Sequence, residues 1–140
     1  MRKKILSIVT IVVLVCIISV NLTGCAGNVY QNRLIRAGYQ SVERDTGMPY
    51  LFTNEDGSKE TFDVVWRIKG VRVGENSYDT VTIYRFENSA HAIKVAKYVE
   101  KHPNILQRAI YRMDDLYFEA NSEEALRDVL YIVDLTLTNK

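Results

Sequence analysis

The sequence predicts an α+β domain built on a single, mostly antiparallel sheet with two amphipathic helices packed on one face. Three observations carry this. Ala92, Val95, Ala96 and Val99 recur at helical spacing, and so do Leu126, Val129, Leu130 and Val133. Thr61 to Val73 and Thr80 to Phe86 are rich in β-branched and aromatic residues, which suit a pleated, half-buried surface. The resulting order is strand-strand-helix-strand-strand-helix, which favours helices layered on an antiparallel sheet. A ferredoxin-like arrangement is compatible with that order.

The chain opens with Met1-Arg2-Lys3-Lys4 and an apolar run from Ile5 to Val20, which ends at Leu22-Thr23-Gly24-Cys25. A positive start, an apolar run and a small-residue boundary are the parts of a secretory signal. The tetrapeptide resembles the lipobox of bacterial lipoproteins, in which an apolar and two small residues precede the cysteine. That resemblance implies cleavage before Cys25, a diacylglyceryl thioether on it and often acylation of the new amino terminus. Cys16 follows Leu14-Val15, so a bulky residue stands where a signal peptidase needs a small one. The competing reading is a retained transmembrane helix, since roughly 18 apolar residues can span a bilayer. Ser7, Thr10, Ser19, Asn21 and the small-residue boundary speak against it. Both readings keep Arg2, Lys3 and Lys4 cytoplasmic and place the rest outside. Each buried methylene of an acyl chain adds about 0.8 kcal/mol, and two chains suffice for stable anchoring. The expected division is residues 1–24 as signal peptide, 25–29 as lipidated tether and 30–140 as extracytoplasmic domain.

The whole-chain charge of +1 includes the signal. Without Arg2, Lys3 and Lys4, 15 basic residues face 17 acidic ones, so the mature domain stands near −2. That balance argues against a general binder of nucleic acid or of membrane surfaces. No cysteine follows Cys25, so once Cys25 is lipidated neither a disulfide nor a thiol nucleophile is available. The core must supply the stability.

Within the domain, Tyr30 to Ala37 reads as a brief helix stopped by Gly38. Tyr39 to Arg44 alternates weakly as a strand. Turn signals at Thr46-Gly47-Met48-Pro49 and Asn54-Glu55-Asp56-Gly57-Ser58 flank Tyr50-Leu51-Phe52. Thr61 to Val73 reads as one strand with a bulge at Gly70. Gly74 to Asp79 is its loop, and Thr80 to Phe86 completes a hairpin. The first long helix runs from about Ser89 to Lys101, capped by Asn88 or Ser89 and stopped by Pro103. Ile105 to Ala120 reads as two strands broken at Asp114-Asp115. The second long helix starts after Asn121, with Glu124 completing a capping box. Tyr84-Arg85-Phe86-Glu87-Asn88-Ser89 and Tyr117-Phe118-Glu119-Ala120-Asn121-Ser122 both deliver a strand to a polar cap, an echo that shared capping chemistry explains.

Chemistry-bearing clusters are sparse. His91 and His102 lie eleven residues apart on one helix, about 16 Å by helix rise, which rules out a shared metal. Adjacent residues diverge on a helix or strand, so Asp114-Asp115 and Glu123-Glu124 make poor acid/base couples. There is no Gly-x-Ser-x-Gly elbow and no Gly-rich phosphate loop. The nine tyrosines are spread over every element and read as core and half-buried sheet residues. No catalytic residue, metal or cofactor is expected. The opening helix ending in Ala37-Gly38-Tyr39 and the unit at Tyr84-Arg85-Phe86 resemble the small single-domain lipoproteins of Gram-positive bacteria. That likeness implies an address at the outer leaflet of a bacterial membrane, and no activity.

The expected role is a non-catalytic binding or accessory module of the cell envelope. The alternatives are an envelope enzyme using scattered carboxylates and a purely structural envelope protein. One candidate surface follows from strand alternation. With Trp66 and Ile68 turned to the helices, Arg67 and Lys69 point away, and a bulge at Gly70 keeps Val71 and Val73 inside and Arg72 outside. Thr82, Tyr84 and Phe86 facing the helices put Arg85 outside with Val81 and Ile83. Arg108 and Arg112 join them with Leu106 and Ile110. Arg67, Lys69, Arg72, Arg85, Arg108 and Arg112 would then form one face for an envelope protein or an anionic wall polymer.

Overall fold

A computed structural model describes residues 27–102 and 108–130. The lipobox residues Leu22, Thr23, Gly24 and Cys25, with Leu106 and Val133, lie outside the described residues. Helix α1 covers 27–36, so three residues of the expected tether are already helical. It ends as the sequence requires. Gly38 adopts φ 87°, a left-handed conformation that costs glycine nothing, and Tyr39 N–H closes on the Leu34 carbonyl at 3.1 Å.

Among the described residues seven strands follow. They are β1 (Ser41–Thr46), β2 (Tyr50–Thr53), β3 (Lys59–Phe62), β4 (Val64–Val73), β5 (Tyr78–Phe86), β6 (Ala109–Met113) and β7 (Leu116–Ala120). Helix α2 (Ser89–Lys101) separates β5 from β6, and α3 (Glu123–Arg127) follows β7. Five strands form one antiparallel sheet in the order β1-β4-β5-β7-β6, and β2 pairs with β3 in a separate hairpin. The α+β class and the antiparallel sheet therefore stand. β7 lies between β5 and β6, the two strands that α2 connects. The other neighbour of β5 is β4, reached through a hairpin loop.

Four expectations about strands change. The strand expected at Tyr39 begins at Ser41, because Tyr39 is buried at the end of α1. The single strand expected over Thr61 to Val73 is broken at Asp63, and Thr61 and Phe62 belong to the small hairpin. The register shift lies between Val64 and Trp66, not at Gly70. Gly70 is needed for another reason. A Cβ there would stand 3.0 Å from Leu34 Cδ1 and 3.1 Å from Tyr39 Cδ1, so the missing side chain lets α1 and Tyr39 close on the sheet. With no bulge at Gly70, Val73 is exposed and Arg72 turns toward α1.

The helices also differ from expectation. α2 has the predicted bounds and cap, with Asn88 Oδ1 accepting from Ala90 N–H at 2.8 Å. In α3 the cap is Ser122, whose Oγ accepts from Ala125 N–H at 3.0 Å. Ala125 thus holds the position that Glu124 would need in a capping box. Asn121 instead ties two strands, accepting from Thr80 N–H and donating to the Tyr78 carbonyl. The helical residues of α3 number five, although Leu126, Val129 and Leu130 are buried as the stripe requires.

The two amphipathic helices lie on opposite faces of the sheet. Leu126 and Ala125 of α3 share a core with Tyr30 and Leu34 of α1, over Trp66, Ile68, Val81, Ile83 and Phe118. Ala92, Val95, Ala96 and Val99 of α2 share a second core with Phe52, Phe62, Phe86 and Tyr117. Phe118 and Tyr117 are neighbours in β7, so strand alternation alone sends them to opposite sides. Each fully buried large side chain contributes about 1.5–3 kcal/mol. Among the described residues no helix is long and apolar enough to cross a membrane.

Candidate functional site

The two faces are covered unequally. On the α2 face, α2 and the β2–β3 hairpin pack over Tyr84, Phe86, Tyr117 and Ile110. They leave a depression of about 320 Å³ beside them, lined by residues of β4, β5 and β7, with Arg108 and Asn121 at its rim. Alternation on β4 puts Arg67 and Lys69 there, and alternation on β5 puts Thr80, Thr82 and Tyr84 there. The register aligns Lys69 with Thr82 and Thr82 with Glu119. A cation, a hydroxyl and a carboxylate therefore stand in one row across three strands.

Glu119 is the unusual member. Its side chain is only 13% exposed, and Arg108, just before the edge strand β6, donates to it from Nη1 at 3.0 Å. Burial pushes its carboxyl above the usual glutamate range, while Arg108 pulls the other way. The hydroxyls of Tyr84 and Tyr117 lie close enough to favour its ionised form, yet Tyr117 Oη reaches no acceptor at full hydrogen-bond geometry. Burial raises both phenols, and it pushes Tyr50, at the edge of the same cluster, up to about 12. All three tyrosines are therefore neutral hydroxyls at ordinary pH.

The six residues expected on one basic face are divided. Arg67, Lys69, Arg108 and Arg112 occupy the α2 side of the sheet. Arg72 and Arg85 lie on the α1 side, in register with Asp79 and Trp66. Val81 and Ile83, expected outside with Arg85, are fully buried. The arginines are also mostly engaged. Arg67 pairs with Asp45, Arg72 with Asp79 and Asp128, Arg85 with Asp115 and Arg108 with Glu119. Arg112 reaches the Asp114 carbonyl at 3.5 Å. Lys69 alone of the six makes no ion pair or hydrogen bond among the described residues, although Glu43 stands opposite it in register. The expectation of a shared arginine face is thus corrected to a charge-balanced one.

Sequence reasoning did not single out Glu119, Thr80, Thr82 or Asn121. Two signals pointed to them. Thr80-x-Thr82-x-Tyr84 alternates hydroxyls along one strand face, and Glu119 is the only charged residue in the otherwise buried β7. Neither histidine enters the depression. His91 stacks on Phe62 at 4.3 Å, and His102 Nδ1 meets the Tyr98 carbonyl at 2.8 Å. Among the described residues no group of three His, Cys, Asp or Glu is placed to hold a metal ion.

Glycoside hydrolysis of the usual kind would pair Glu119 with a second carboxylate. Glu43 is aligned with it through Lys69 and Thr82. Three strand spacings separate the two, about 14 Å. A carboxylate pair in glycoside hydrolysis stands roughly 5–10 Å apart. Glu43 and Glu119 therefore stand too far apart to act as such a pair.

Comparison with protein-family models, with curated proteins and with solved structures finds no match to this chain.

Proposed function

We propose that the chain is a lipid-anchored, extracytoplasmic, non-catalytic binding module of the bacterial cell envelope. Its ligand is a polyhydroxylated group, such as a sugar unit of a wall polymer, taken into the depression on the α2 face. The observation that carries this is the alternation of donors and acceptors along the row of Lys69, Thr82 and Glu119, flanked by Tyr84. Hydroxyl-rich ligands both donate and accept, and this row offers partners for both. A fully basic face would select a polyanion. Here Arg67 and Arg108 are already neutralised, and Lys69 is left for a single anionic substituent. A Lys-to-hydroxyl-to-carboxylate row on rigid strands is also preorganised, which lowers the cost of binding. Anchoring through Cys25 places the module where such polymers are found.

The test is calorimetric titration of the full chain, purified from membranes, with soluble cell-wall glycan fragments. Thr82→Val removes a hydroxyl from the middle of the row, and Lys69→Glu reverses the unpaired charge. Saturable binding weakened by both variants supports the reading. A wild-type chain that binds no fragment, or two variants that bind as it does, would overturn it.

A further inference from the structure

One end of the sheet carries three large apolar side chains in the open. The registers place Thr46 beside Trp66, Trp66 beside Arg85, Arg85 beside Leu116 and Leu116 beside Met113. These residues form a single row at the same end of five strands. Met48 leaves β1 just beyond it, Val65 precedes Trp66 in β4, and Met113 closes β6. They are 47%, 41% and 42% exposed. The opposite end carries Val73 paired with Tyr78, 53% and 59% exposed. Exposure alone therefore does not distinguish the two ends.

The course of the chain does. Helix α1 starts at the first end. Arg44 Nη1 donates to Asn28 Oδ1 at 3.1 Å, and the Arg44 guanidinium lies so close to Gly27 that a Cβ there would meet it at 2.8 Å. Arg44 is aligned with Ile68, only two residues from the Thr46–Trp66 pair. α1 finishes toward the other end, where Arg72 Nη1 donates to the Ala37 carbonyl at 2.9 Å. Only Ala26 separates Cys25 from Gly27. Two residue steps span at most about 7 Å. An anchor at Cys25 therefore holds the start of α1, and with it this end of the sheet, close to the bilayer.

We infer that the row bearing Met48, Val65 and Met113 faces the membrane, with these side chains in the headgroup region and the strands standing away from the bilayer. The inference rests on the reading of Cys25 as a lipid anchor. The chemistry fits an interfacial contact. Methionine is unbranched and adapts to an irregular surface. Apolar side chains at shallow depth add to a lipid anchor without spanning anything. Near this end Arg67 pairs with Asp45 and Arg85 with Asp115, and the exposed Arg112, which reaches only the Asp114 carbonyl, is followed by Asp114 and Asp115, so basic and acidic side chains balance and the row offers little net charge to anionic lipid. The contact is apolar in origin and insensitive to salt. In this orientation the Lys69 depression opens sideways, parallel to the membrane, and Val73 and Tyr78 form the distal tip.

The chain is suited to a direct test, because it has two cysteines, Cys16 inside the signal and Cys25 at the anchor. A cysteine introduced as Met48→Cys, Met113→Cys, Val73→Cys or Tyr78→Cys is then the only free thiol of a processed, lipidated chain. Each full-length variant is purified from membranes, labelled with a polarity-sensitive fluorophore and reconstituted into phosphatidylcholine vesicles containing brominated lipid. Several-fold stronger quenching at positions 48 and 113 than at 73 and 78, unchanged by added phosphatidylglycerol or salt, is the expected result. Equal quenching at both ends, or stronger quenching at 73 and 78, overturns the orientation. Intact mass and vesicle co-sedimentation of the same samples report the anchor separately. A membrane-bound chain with the wrong quenching pattern defeats the orientation alone, whereas a chain that does not sediment with vesicles defeats both readings.

Discussion

The Arg72 guanidinium lies 2.8 Å from the Asp128 carboxylate and joins the β4–β5 hairpin to the end of α3. The same group lies 2.8 Å from Asp79, donates to the Ala37 carbonyl and rests 4.9 Å from the centre of the Tyr39 ring. One side chain thus fastens α1, the hairpin and α3 on one side of the sheet. Tyr39 Oη adds a 3.3 Å contact to Asp128, and burial holds that phenol protonated.

Arg72→Ser removes all the contacts of the guanidinium at once and leaves that between Tyr39 and Asp128. The three charged side chains are each about a quarter exposed, at 26%, 19% and 25%, so solvent screens part of their attraction. A loss of about 1–2 kcal/mol is expected, above a surface pair and below a buried one. Urea unfolding followed by circular dichroism measures it. A midpoint equal to wild type would mean that the network only decorates the fold.

Gly70→Val tests the close approach of α1 to the sheet. The new side chain meets Leu34 and Tyr39, both buried in the closely packed core. Overpacking of this kind costs about 1–3 kcal/mol, against the gain in strand propensity that valine brings at an open position. Thermal unfolding should show a lower midpoint than wild type. A variant as stable as its parent would place α1 further from β4 than the contact distances require.

Local features were legible in the sequence and relational ones were not. Asn88, Ser89 to Lys101 and Gly38 were found because capping and helix termination act within one turn. Trp66, Ile68, Val99 and Leu130 were found because periodicity reports a buried stripe. Periodicity does not say against which face of a sheet the stripe will lie, and so α2 and α3 were joined on one side when they occupy two. The register shift was placed at Gly70, the visible glycine, but it lies at Val65, where no residue type marks it. Strand side chains have a period of two, so that error reversed Arg72. The depression was missed for the same reason. Thr82 and Glu119 become neighbours only through the pairing of β5 with β7.

Cys25→Ala tests the anchor. Without a thiol no diacylglyceryl thioether can form, and a processing step that follows lipidation has no substrate. Radiolabelled fatty acid should no longer enter the chain, and an unprocessed precursor or a released form should accumulate. A variant processed and retained like its parent would remove the lipoprotein reading.

Glu119→Gln tests the electrostatics of the depression through pH. Burial raises the Glu119 pKa in the folded protein, and Arg108, 43% exposed, offsets only part of that cost. In the unfolded chain the same group titrates near the ordinary glutamate value of about 4.3. Above its folded pKa, Glu119 is ionised in both states, and the folded state bears the desolvation cost. As pH falls below the folded pKa, the folded protein takes up a proton that the unfolded chain does not yet hold, so wild type gains stability. The gain is complete near pH 4.3, roughly where the unfolded chain also protonates. The Glu119→Gln variant lacks this titration. It should be the more stable protein at neutral pH, and the difference should close as pH falls toward the ordinary glutamate value. Urea midpoints for both chains across that range measure the gap. Curves that run parallel would mean that Glu119 is solvated or fully compensated, and the row from Lys69 to Glu119 would lose the buried acceptor on which its ligand chemistry depends.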